Sequence, residues 1–209
     1  MQPEDRQRWW DERYRDADPD KLVPDDWVTR RLDPTGAPLR ILELGAGIGH
    51  LSALLASRGH TVVATDISET AISAMRVRFP KIRSIRLDHT DPLPFTDGTF
   101  DLVVADLCLH YFDAGTTSAI LFEIERVLAN DGTLLARVNS TNDVNHGAGK
   151  GVRIEPGFYQ CDGHYKRFFD GPMIRRLWRR WRELEVAEQT IYRYHDPKVA
   201  YEVSARRPR

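Results

Sequence analysis

Three closely spaced glycines follow a short apolar run in the stretch ELGAGIGH, residues 43–50. They are Gly45, Gly47 and Gly49. Missing side chains let a ligand approach the backbone, and a helix that begins at such a turn offers it unpaired N–H groups. Asp66 ends the next apolar run, 17 residues after Gly49, where a carboxylate can accept hydrogen bonds from two ribose hydroxyls. The pattern therefore predicts a nucleoside site.

The spacing also indicates which kind of nucleoside ligand fits. The dinucleotide fingerprint is G-x-G-x-x-G, and here the third glycine comes one residue early. Glu43 lies two residues before Gly45, and a carboxylate there would repel an anionic pyrophosphate. A cofactor that carries a cationic sulfonium would tolerate it. A tight turn with no ligand is the alternative interpretation of the glycines.

Polar residues further along the chain are candidates for chemistry on a second ligand. His110 is the candidate general base, because its ordinary pKa of about 6.5 suits proton transfer near neutral pH; a hydrogen-bonded structural histidine is the alternative. Asn139 and Arg137 end a predicted strand, where their side chains could reach a substrate. An ordinary ion pair would explain Arg137 equally well. Tyr111, next to His110, is a candidate substrate contact.

Two further clusters could complete such a site. The stretch GHYKRFF contains His164, Lys166 and Arg167, which could bind an anionic substrate group because guanidinium groups match carboxylates and phosphates. A charged surface turn is the alternative. Trp10 and Tyr14 lie on a predicted N-terminal helix that could close over the cofactor or pack in the core.

Apolar runs that alternate with helical patterns must position these residues. The predicted strands cover 39–44, 61–66, 82–88, 100–106, 131–139, 184–193 and 198–205. The predicted helices cover 3–15, 24–32, 49–59, 68–79, 114–130 and 172–182. Such alternation forms a parallel sheet covered on both faces. The turn HDPK between the last two strands is too short for a crossover, so that pair is antiparallel. The sequence thus predicts an α/β, doubly wound, Rossmann-like fold.

Length and composition predict one domain over residues 1–209. Of its 209 residues, 41% are hydrophobic and 29% are charged, which suits a single domain. No apolar run approaches the roughly 18 residues of a membrane span, and the charged N-terminus is unlike a signal peptide. Two cysteines suit a reducing cytoplasm. We expect a cytoplasmic monomer or homodimer with no membrane partner.

Charge and cysteine spacing bear on metals and nucleic acids. The net charge of −1 argues against a nucleic-acid partner, although the last 47 residues carry a local excess of six positive charges. The Arg-rich stretch 174–183 is interpreted as a solvated amphipathic helix, with RNA contact as the alternative. The loose spacing of Cys108, His110, Cys161 and His164 does not suit a metal site, so we expect none.

Four stretches together resemble the class I S-adenosylmethionine-dependent methyltransferases. They are ELGAGIG, VVATDIS, RLDHTDPLPFTDGTFDLVVADLCLHYF and EIERVLANDGTLLARV, and they cover roughly residues 39–138. The resemblance implies a seven-stranded sheet of order 3-2-1-4-5-7-6, with the last-formed strand antiparallel, and S-adenosyl-L-methionine as cofactor. The aromatic helix before the glycine motif resembles the small-molecule branch, which includes the thiopurine and tellurite-resistance types.

The resemblance also implies roles for single residues. The turn from Gly45 to Gly49, with Ala46 in it, would lie under the methionine part of the cofactor. Asp66, followed by Ile67, would hold the ribose. The remaining implied contacts are Asp88 to the adenine amino group, the backbone of His89 to the adenine ring, and Asp106 and Leu107 beside the methionine amino group.

Residues 139–170 are predicted to form a substrate lid inserted after the fifth strand, and residues 1–36 a helical cap. About 22 residues of the insertion are expected to be irregular, and loops this long are usually functional or disordered. Its stretch NHGAGKGVR fails as a phosphate-binding loop, because Val144 and Gly151 replace required residues. The predicted substrate contacts of the insertion are Asn142, His146, Tyr159, His164, Lys166 and Arg167.

These features predict methyl transfer to a small-molecule acceptor by in-line displacement, with oxygen, nitrogen, sulfur or a heavier chalcogen as the accepting atom. An RNA or protein methyltransferase that uses the Arg-rich helix is one alternative. A binding protein that holds S-adenosylmethionine without catalysis is another, and a nicotinamide oxidoreductase is the most distant. The stretch DLCL follows the fourth strand, where enzymes that methylate nucleobase or amide nitrogens carry N/D-P-P-Y/F.

Overall fold

The elements of the chain are given by a computed structural model that describes residues 3–17, 25–33, 35–161 and 163–209. The helices are α1 (Pro3–Arg15), α2 (His50–Ser57), α3 (Glu69–Arg78), α4 (Ala114–Val127) and α5 (Gly171–Leu177). The first five strands are β1 (Arg40–Leu44), β2 (Thr61–Asp66), β3 (Arg83–Arg86), β4 (Phe100–Asp106) and β5 (Leu128–Asn139). The others are β6 (Val152–Glu155), β7 (Phe158–Cys161), β8 (His164–Arg167), β9 (Arg182–Ile191) and β10 (Lys198–Arg206).

Seven strands form one sheet in the order β3-β2-β1-β4-β5-β10-β9. The first five are parallel, and β10 runs antiparallel to both β5 and β9. This confirms the doubly wound fold and the antiparallel ending that the sequence predicts. The register pairs Ala200 of β10 with Asn139 of β5, so the start of β10 lies beside the end of β5.

Apolar side chains on both faces of the sheet explain why the helices pack there. On one face, Leu42 and Val103 share a cluster with Ile124 of α4 and Ile174 of α5. On the other face, α2 packs on neighbouring strand residues. Three helices begin at a side-chain cap that satisfies a terminal N–H group. The caps are Ser68 for α3, Asp113 for α4 and Asp170 for α5.

The predicted helix at 24–32 is wrong for the residues that the structure describes; Pro24, where it was to begin, lies outside them. Only Thr29–Arg31 forms a short 3-10 helix. Trp27 and Val28 are buried, and the Asp25 carboxylate pairs with Arg137. These long-range contacts fix a turn that local propensity does not reveal.

The insertion at 139–170 is more ordered than predicted. In place of a long irregular loop, β6, β7 and β8 form a three-stranded antiparallel sheet in that order. The predicted helix at 172–182 ends at Leu177 instead, because Trp178 and Trp181 are buried beyond it. That this insertion acts as a lid, and residues 1–36 as a cap, remains a prediction. No helix among the described residues is long and apolar enough to span a membrane.

Candidate active site

A cavity of about 430 Å³ opens at the edge of the large sheet where the parallel strands end. In open α/β sheets, ligands bind beyond the carboxyl ends of the strands. We call one part the glycine end, lined by Glu43, Gly45, Gly47, Asp66 and Asp88. We call the other part the basic end, lined by His110, Asn139, Lys166, Arg193 and Lys198.

The glycine turn has the close packing that makes glycine necessary. Gly45 and Gly47 have φ values of 66° and 55°, a region that other residues rarely adopt. A Cβ on Gly45 would lie 2.6 Å from the Cβ of Cys108, and one on Gly47 would lie 2.9 Å from the hydroxyl of Tyr14. Gly49 instead packs against Met75 and does not line the cavity.

Two buried carboxylates lie under this turn. Asp66 accepts hydrogen bonds from the N–H groups of Gly47 at 2.8 Å and Ser68 at 3.0 Å, and burial raises its pKa to about 6. Glu43 accepts a hydrogen bond from the hydroxyl of Ser52. Burial raises the pKa of Glu43 to about 8, to which Asp106 and Asp66 add repulsion. Such crowding of carboxylates suits a cationic ligand.

Asp88 is held by the N-terminal helix. Arg6 of α1 donates to its carboxylate at 2.5 Å, and the N–H of Thr90 donates at 3.0 Å. Burial by itself would raise the pKa of Asp88, but the hydrogen bonds from Thr90 and Arg6 hold it below its ordinary value. His89 is buried, which lowers its pKa to about 4. Arg6 was not predicted, since nothing in the sequence pairs α1 with residue 88.

Arg137 forms an ion pair with Asp106 and does not line the cavity. Its guanidinium donates twice to the Asp106 carboxylate at 2.7 Å and once to Asp25 at 2.6 Å. It also lies over the Trp27 ring, with 4.6 Å to the centroid. Arg137 does not line the cavity, so the ion-pair interpretation matches its contacts and the catalytic one does not. Leu107, which follows Asp106, lines the cavity with a φ of 55°.

His110 and Asn139 are buried polar side chains at the basic end, and each has an atom without a hydrogen-bond partner. They are 2% and 1% exposed. Neither His110 Nδ1 nor Asn139 Oδ1 has a hydrogen-bond partner within the described part of the chain. Burial lowers the pKa of His110 well below its ordinary value, and the nearby Lys198 and Lys166 lower it further. The imidazole is therefore neutral at physiological pH.

Aromatic rings from α1 cover both ends of the cavity. Trp10 lies 5.6 Å from Tyr14 and 5.2 Å from Tyr111 between ring centroids, and all three line the cavity. Burial raises the pKa of both tyrosines, which therefore remain neutral. Trp9, on the same helix, stacks on His164 of β8 at 5.0 Å. Helix α1 thus connects the glycine turn with the inserted sheet.

The structure brings only part of the predicted substrate set into the cavity. Tyr111, His146 and Lys166 line it, together with the predicted residues Ala46, Ile67 and His89. Four other predicted contacts have partners elsewhere. Asn142 donates to the Glu188 carboxylate, Tyr159 packs on Phe168, His164 stacks on Trp9, and Arg167 pairs with Glu155. Their side chains were expected to face substrate because the insertion follows the fifth strand, at the edge of the sheet where ligands bind.

Residues of the β9–β10 turn complete the basic end and were missed. Arg193 donates to Asp106 at 3.2 Å, and Lys198 donates to Asp143 at 2.8 Å. Tyr194 lies between them, with its ring 5.2 Å from the Arg193 guanidinium. A signal was present, because an antiparallel strand added beside β5 must begin where β5 ends. Among the described residues, no group of three His, Cys, Asp or Glu side chains is arranged to hold a metal ion.

Residues 41–132 match the protein family described as "Methyltransferase domain". A probable S-adenosylmethionine-dependent methyltransferase from Mycobacterium tuberculosis is 29% identical over 145 residues, which is 66% of this chain and 51% of that protein. A malonyl-[acyl-carrier protein] O-methyltransferase from Halorhodospira halophila is 33% identical over 115 residues, which is 53% of this chain and 38% of that protein. The chain thus spans about half the length, or less, of these curated relatives.

Solved structures share the fold over most of the chain. A structure from Methanosarcina mazei, described as an S-adenosylmethionine-dependent methyltransferase, superposes with a TM-score of 0.75 and 20% sequence identity. The superposition covers 90% of this chain and 99% of that one. A 1,6-didemethyltoxoflavin-N1-methyltransferase from Burkholderia thailandensis, with bound 1,6-didemethyltoxoflavin and S-adenosylhomocysteine, superposes with a TM-score of 0.65 and 21% sequence identity. The superposition covers 83% of this chain and 73% of that one.

Proposed function

We propose that this chain transfers the methyl group of S-adenosylmethionine to a small-molecule acceptor, because residues 41–132 match the family described as "Methyltransferase domain" and a probable S-adenosylmethionine-dependent methyltransferase is similar to it. The observation that carries the proposal is the division of one cavity into a glycine end with buried carboxylates and a basic end with a buried histidine whose Nδ1 has no hydrogen-bond partner among the described residues. The assignment to the tellurite-resistance and thiopurine branch remains a prediction.

The residues at the glycine end fit this cofactor. Asp66 is ionised near neutral pH and would repel a pyrophosphate, and a ligand with a sulfonium and an ammonium group would favour the ionised form of Glu43 as well. Gly45 and Gly47 let Cys108 and Tyr14 pack closely against this turn, where any Cβ would clash with them. Asp66 would hold the ribose hydroxyls, and Asp88 with the backbone of His89 would contact the adenine. For Asp88 to accept from the adenine amino group, it must share its carboxylate with Arg6.

When bound, S-adenosylmethionine supplies an electrophilic methyl group on a sulfonium and leaves as the neutral thioether. The chain's own residues align the acceptor and exclude water. Residues of the basic end would hold the acceptor so that its lone pair could bond to that methyl carbon, and the electrons of the carbon–sulfur bond would remain on sulfur. His110 takes the proton that the acceptor loses. A weakly basic imidazole suffices, because that proton becomes strongly acidic as the accepting atom gains positive charge.

The position of α5 favours a small acceptor over RNA or protein. None of its arginines lines the cavity, and Arg180, just beyond the helix, pairs with Glu125 of α4. The inserted sheet and α1 cover the basic end from two sides. A cavity of this size suits a nucleoside cofactor together with a compact second ligand.

Calorimetry with S-adenosylmethionine, S-adenosylhomocysteine and NAD tests the proposal. We expect both S-adenosyl ligands to bind and NAD to show no binding. Asp66→Ala should abolish S-adenosylhomocysteine binding, whereas Asp196→Ala, which removes an exposed carboxylate outside the cavity, should leave it unchanged. Tight NAD binding with no S-adenosyl binding would reject the proposed function. Unaltered affinity in Asp66→Ala would reject the nucleoside site.

A further inference from the structure

The basic end of the cavity gathers three cations from separate parts of the chain. Lys166 comes from β8 of the inserted sheet, Arg193 from the β9–β10 turn, and Lys198 from the first position of β10. Tyr194 joins two of them, since its ring lies 5.2 Å from the Arg193 guanidinium and 6.0 Å from the Lys198 ammonium. Three elements that meet only in the folded chain thus contribute one cation each.

Carboxylates near this end are already engaged by other donors. Asp143 accepts from Lys198, from the N–H of Val199 at 2.9 Å and from His146 at 2.9 Å. Asp106 is bound by both arms of Arg137 before Arg193 reaches it at 3.2 Å. Each of these two carboxylates therefore divides its charge among several donors.

The cations at the basic end affect the ionisation of one another and of His110. An ammonium that donates to a carboxylate at 2.8 Å would ordinarily have a raised pKa. The pKa of Lys198 is lowered instead, because burial outweighs the bond to Asp143 and repulsion from Lys166 and Arg193 adds to the effect of burial. Lys198 and Lys166 also add to the effect of burial on the pKa of His110. An anion placed here would relieve the repulsion among the cations.

A second requirement comes from the polar atoms without partners. Asn139 Oδ1 is a buried acceptor with no donor among the described residues, and leaving such a group unpaired is unfavourable. An O–H or N–H group of a ligand would satisfy it. His110 is neutral and lines the same end, so it can accept a proton. A methyl acceptor that satisfies both residues must carry a proton on its nucleophilic atom before it reacts.

Building on the proposed methyl transfer, we infer that the acceptor is a small carboxylic acid with a separate neutral hydroxyl or amine as its nucleophile. Its carboxylate lies among Lys166, Arg193 and Lys198, and its nucleophile lies at Asn139 and His110. A monoanion fits better than a phosphate dianion, because Asp143 and Asp106 already offset part of the positive charge. The methyl group goes to the neutral nucleophile and the carboxylate only positions the molecule.

Three matched probes test this inference on the full chain saturated with S-adenosylhomocysteine. Isothermal titration compares 4-hydroxybenzoate, its neutral amide 4-hydroxybenzamide, and 4-hydroxyphenyl phosphate. We expect the carboxylate to bind at least tenfold more tightly than the amide and more tightly than the phosphate. Lys166→Gln should reduce carboxylate affinity about tenfold and leave amide affinity unchanged. Lys166→Arg should restore the preference, and Lys81→Gln, which changes an exposed lysine distant from the cavity, should match the wild type.

Each outcome decides the matter. Equal binding of carboxylate and amide, or no binding of either, overturns the inference, as does a Lys166→Gln variant that keeps the wild-type preference. Tighter binding of the phosphate overturns the choice of a monoanion. If S-adenosylhomocysteine binds normally, these outcomes reject only the inference and leave the proposed function standing. Loss of S-adenosyl binding in the wild type would instead reject the proposed function.

Discussion

His110 is the residue whose environment departs furthest from that of a surface histidine. It is 2% exposed, and its Nδ1 has no partner in the described part of the chain. Burial and two nearby lysines keep the imidazole neutral. A neutral imidazole beside an unpartnered amide oxygen is suited to receiving the acceptor's proton, and it stays competent to do so at pH values well below 6.5.

We expect His110→Ala to lower kcat about 10²-fold, at the lower limit for general base catalysis because the imidazole is a weak base. The Kd for S-adenosylmethionine should change less than twofold, since His110 lies at the basic end. Methyl transfer is measured as S-adenosylhomocysteine formed with the acceptor that the binding screen supplies. His195→Ala, at an exposed turn position, is the control. Unchanged turnover in His110→Ala would remove this residue from the mechanism.

We expect Asp66 to make cofactor affinity depend on pH. Burial raises its pKa from 3.8 to about 6, so the carboxylate is protonated below that value and ionised above it. Ribose hydroxyls would donate to the ionised form, and a cationic cofactor would favour its charge. Affinity for S-adenosylmethionine should therefore rise as pH increases through 6, and a further rise toward pH 8 would come from Glu43, whose pKa is about 8.

Calorimetric titrations between pH 5 and pH 8 measure this dependence. Asp66→Asn keeps the size of the side chain but cannot ionise, so we expect weaker binding with little pH dependence around pH 6. A second titrating group would be indicated if Asp66→Asn retained the wild-type profile. A wild-type Kd that is the same at pH 5 and pH 8 would contradict the assignment of Asp66 to the ribose.

At the scale of elements, α1 is held to the domain by polar contacts at both ends of its inner face. Arg6 donates to Asp88. Asp11 accepts from the Ser68 hydroxyl at 2.6 Å and the Thr70 N–H at 3.1 Å, where α3 begins. A carboxylate at a helix N-terminus is favoured by the helix dipole. These contacts hold α1 across the mouth of the cofactor site.

Loss of the Asp11 contacts should loosen this cover. We expect Asp11→Ala to raise the dissociation rate of S-adenosylhomocysteine about fivefold, because α1 must move for the cofactor to leave. Stopped-flow tryptophan fluorescence measures the rate, since Trp9 and Trp10 lie on the same helix. Glu12→Ala, at an exposed position of α1, should not change it. Equal rates in all three proteins would show that the cofactor leaves by another route.

The sequence predicted the regular elements better than the irregular ones. The alternation of strands and helices and the short HDPK turn were sufficient for the doubly wound sheet and its antiparallel ending, because each is a local signal with one topological meaning. The order of the strands came from the resemblance to the methyltransferases. The strands β6, β7 and β8 were missed because each has only four residues and glycines interrupt the pattern. The turn at Trp27 was missed because a distant ion pair fixes it.

In the candidate site, too, one end could be predicted from the sequence and most of the other could not. Its glycine end follows from a motif, so Asp66 and Asp88 were placed by spacing and resemblance. Its basic end is assembled from β8, the β9–β10 turn and the end of β5, which are distant in sequence. Arg193 and Lys198 could be found only by aligning the antiparallel register of β10 with β5. Charge alone did not distinguish Lys166, which lines the cavity, from Arg167, which pairs with Glu155.

For the molecule as a whole, α1 makes the two ends of the cavity interdependent. It contacts the glycine end through Arg6 and Tyr14, and the basic end through Trp9 on His164 and Trp10 on Tyr111. A ligand at either end that favours the docked position of α1 must also favour binding at the other. By linkage, the coupling has the same magnitude in both directions.

We therefore expect 4-hydroxybenzoate to bind the S-adenosylhomocysteine complex about tenfold more tightly than the ligand-free chain, and S-adenosylhomocysteine to gain the same factor from saturating 4-hydroxybenzoate. Trp9→Ala removes the stacking on His164 and should reduce the coupling without weakening cofactor binding by itself. Paired calorimetric titrations measure both directions. Equal affinities with and without the first ligand would mean that α1 covers the cofactor alone, and that the basic end is formed by the inserted sheet and the β9–β10 turn independently of it.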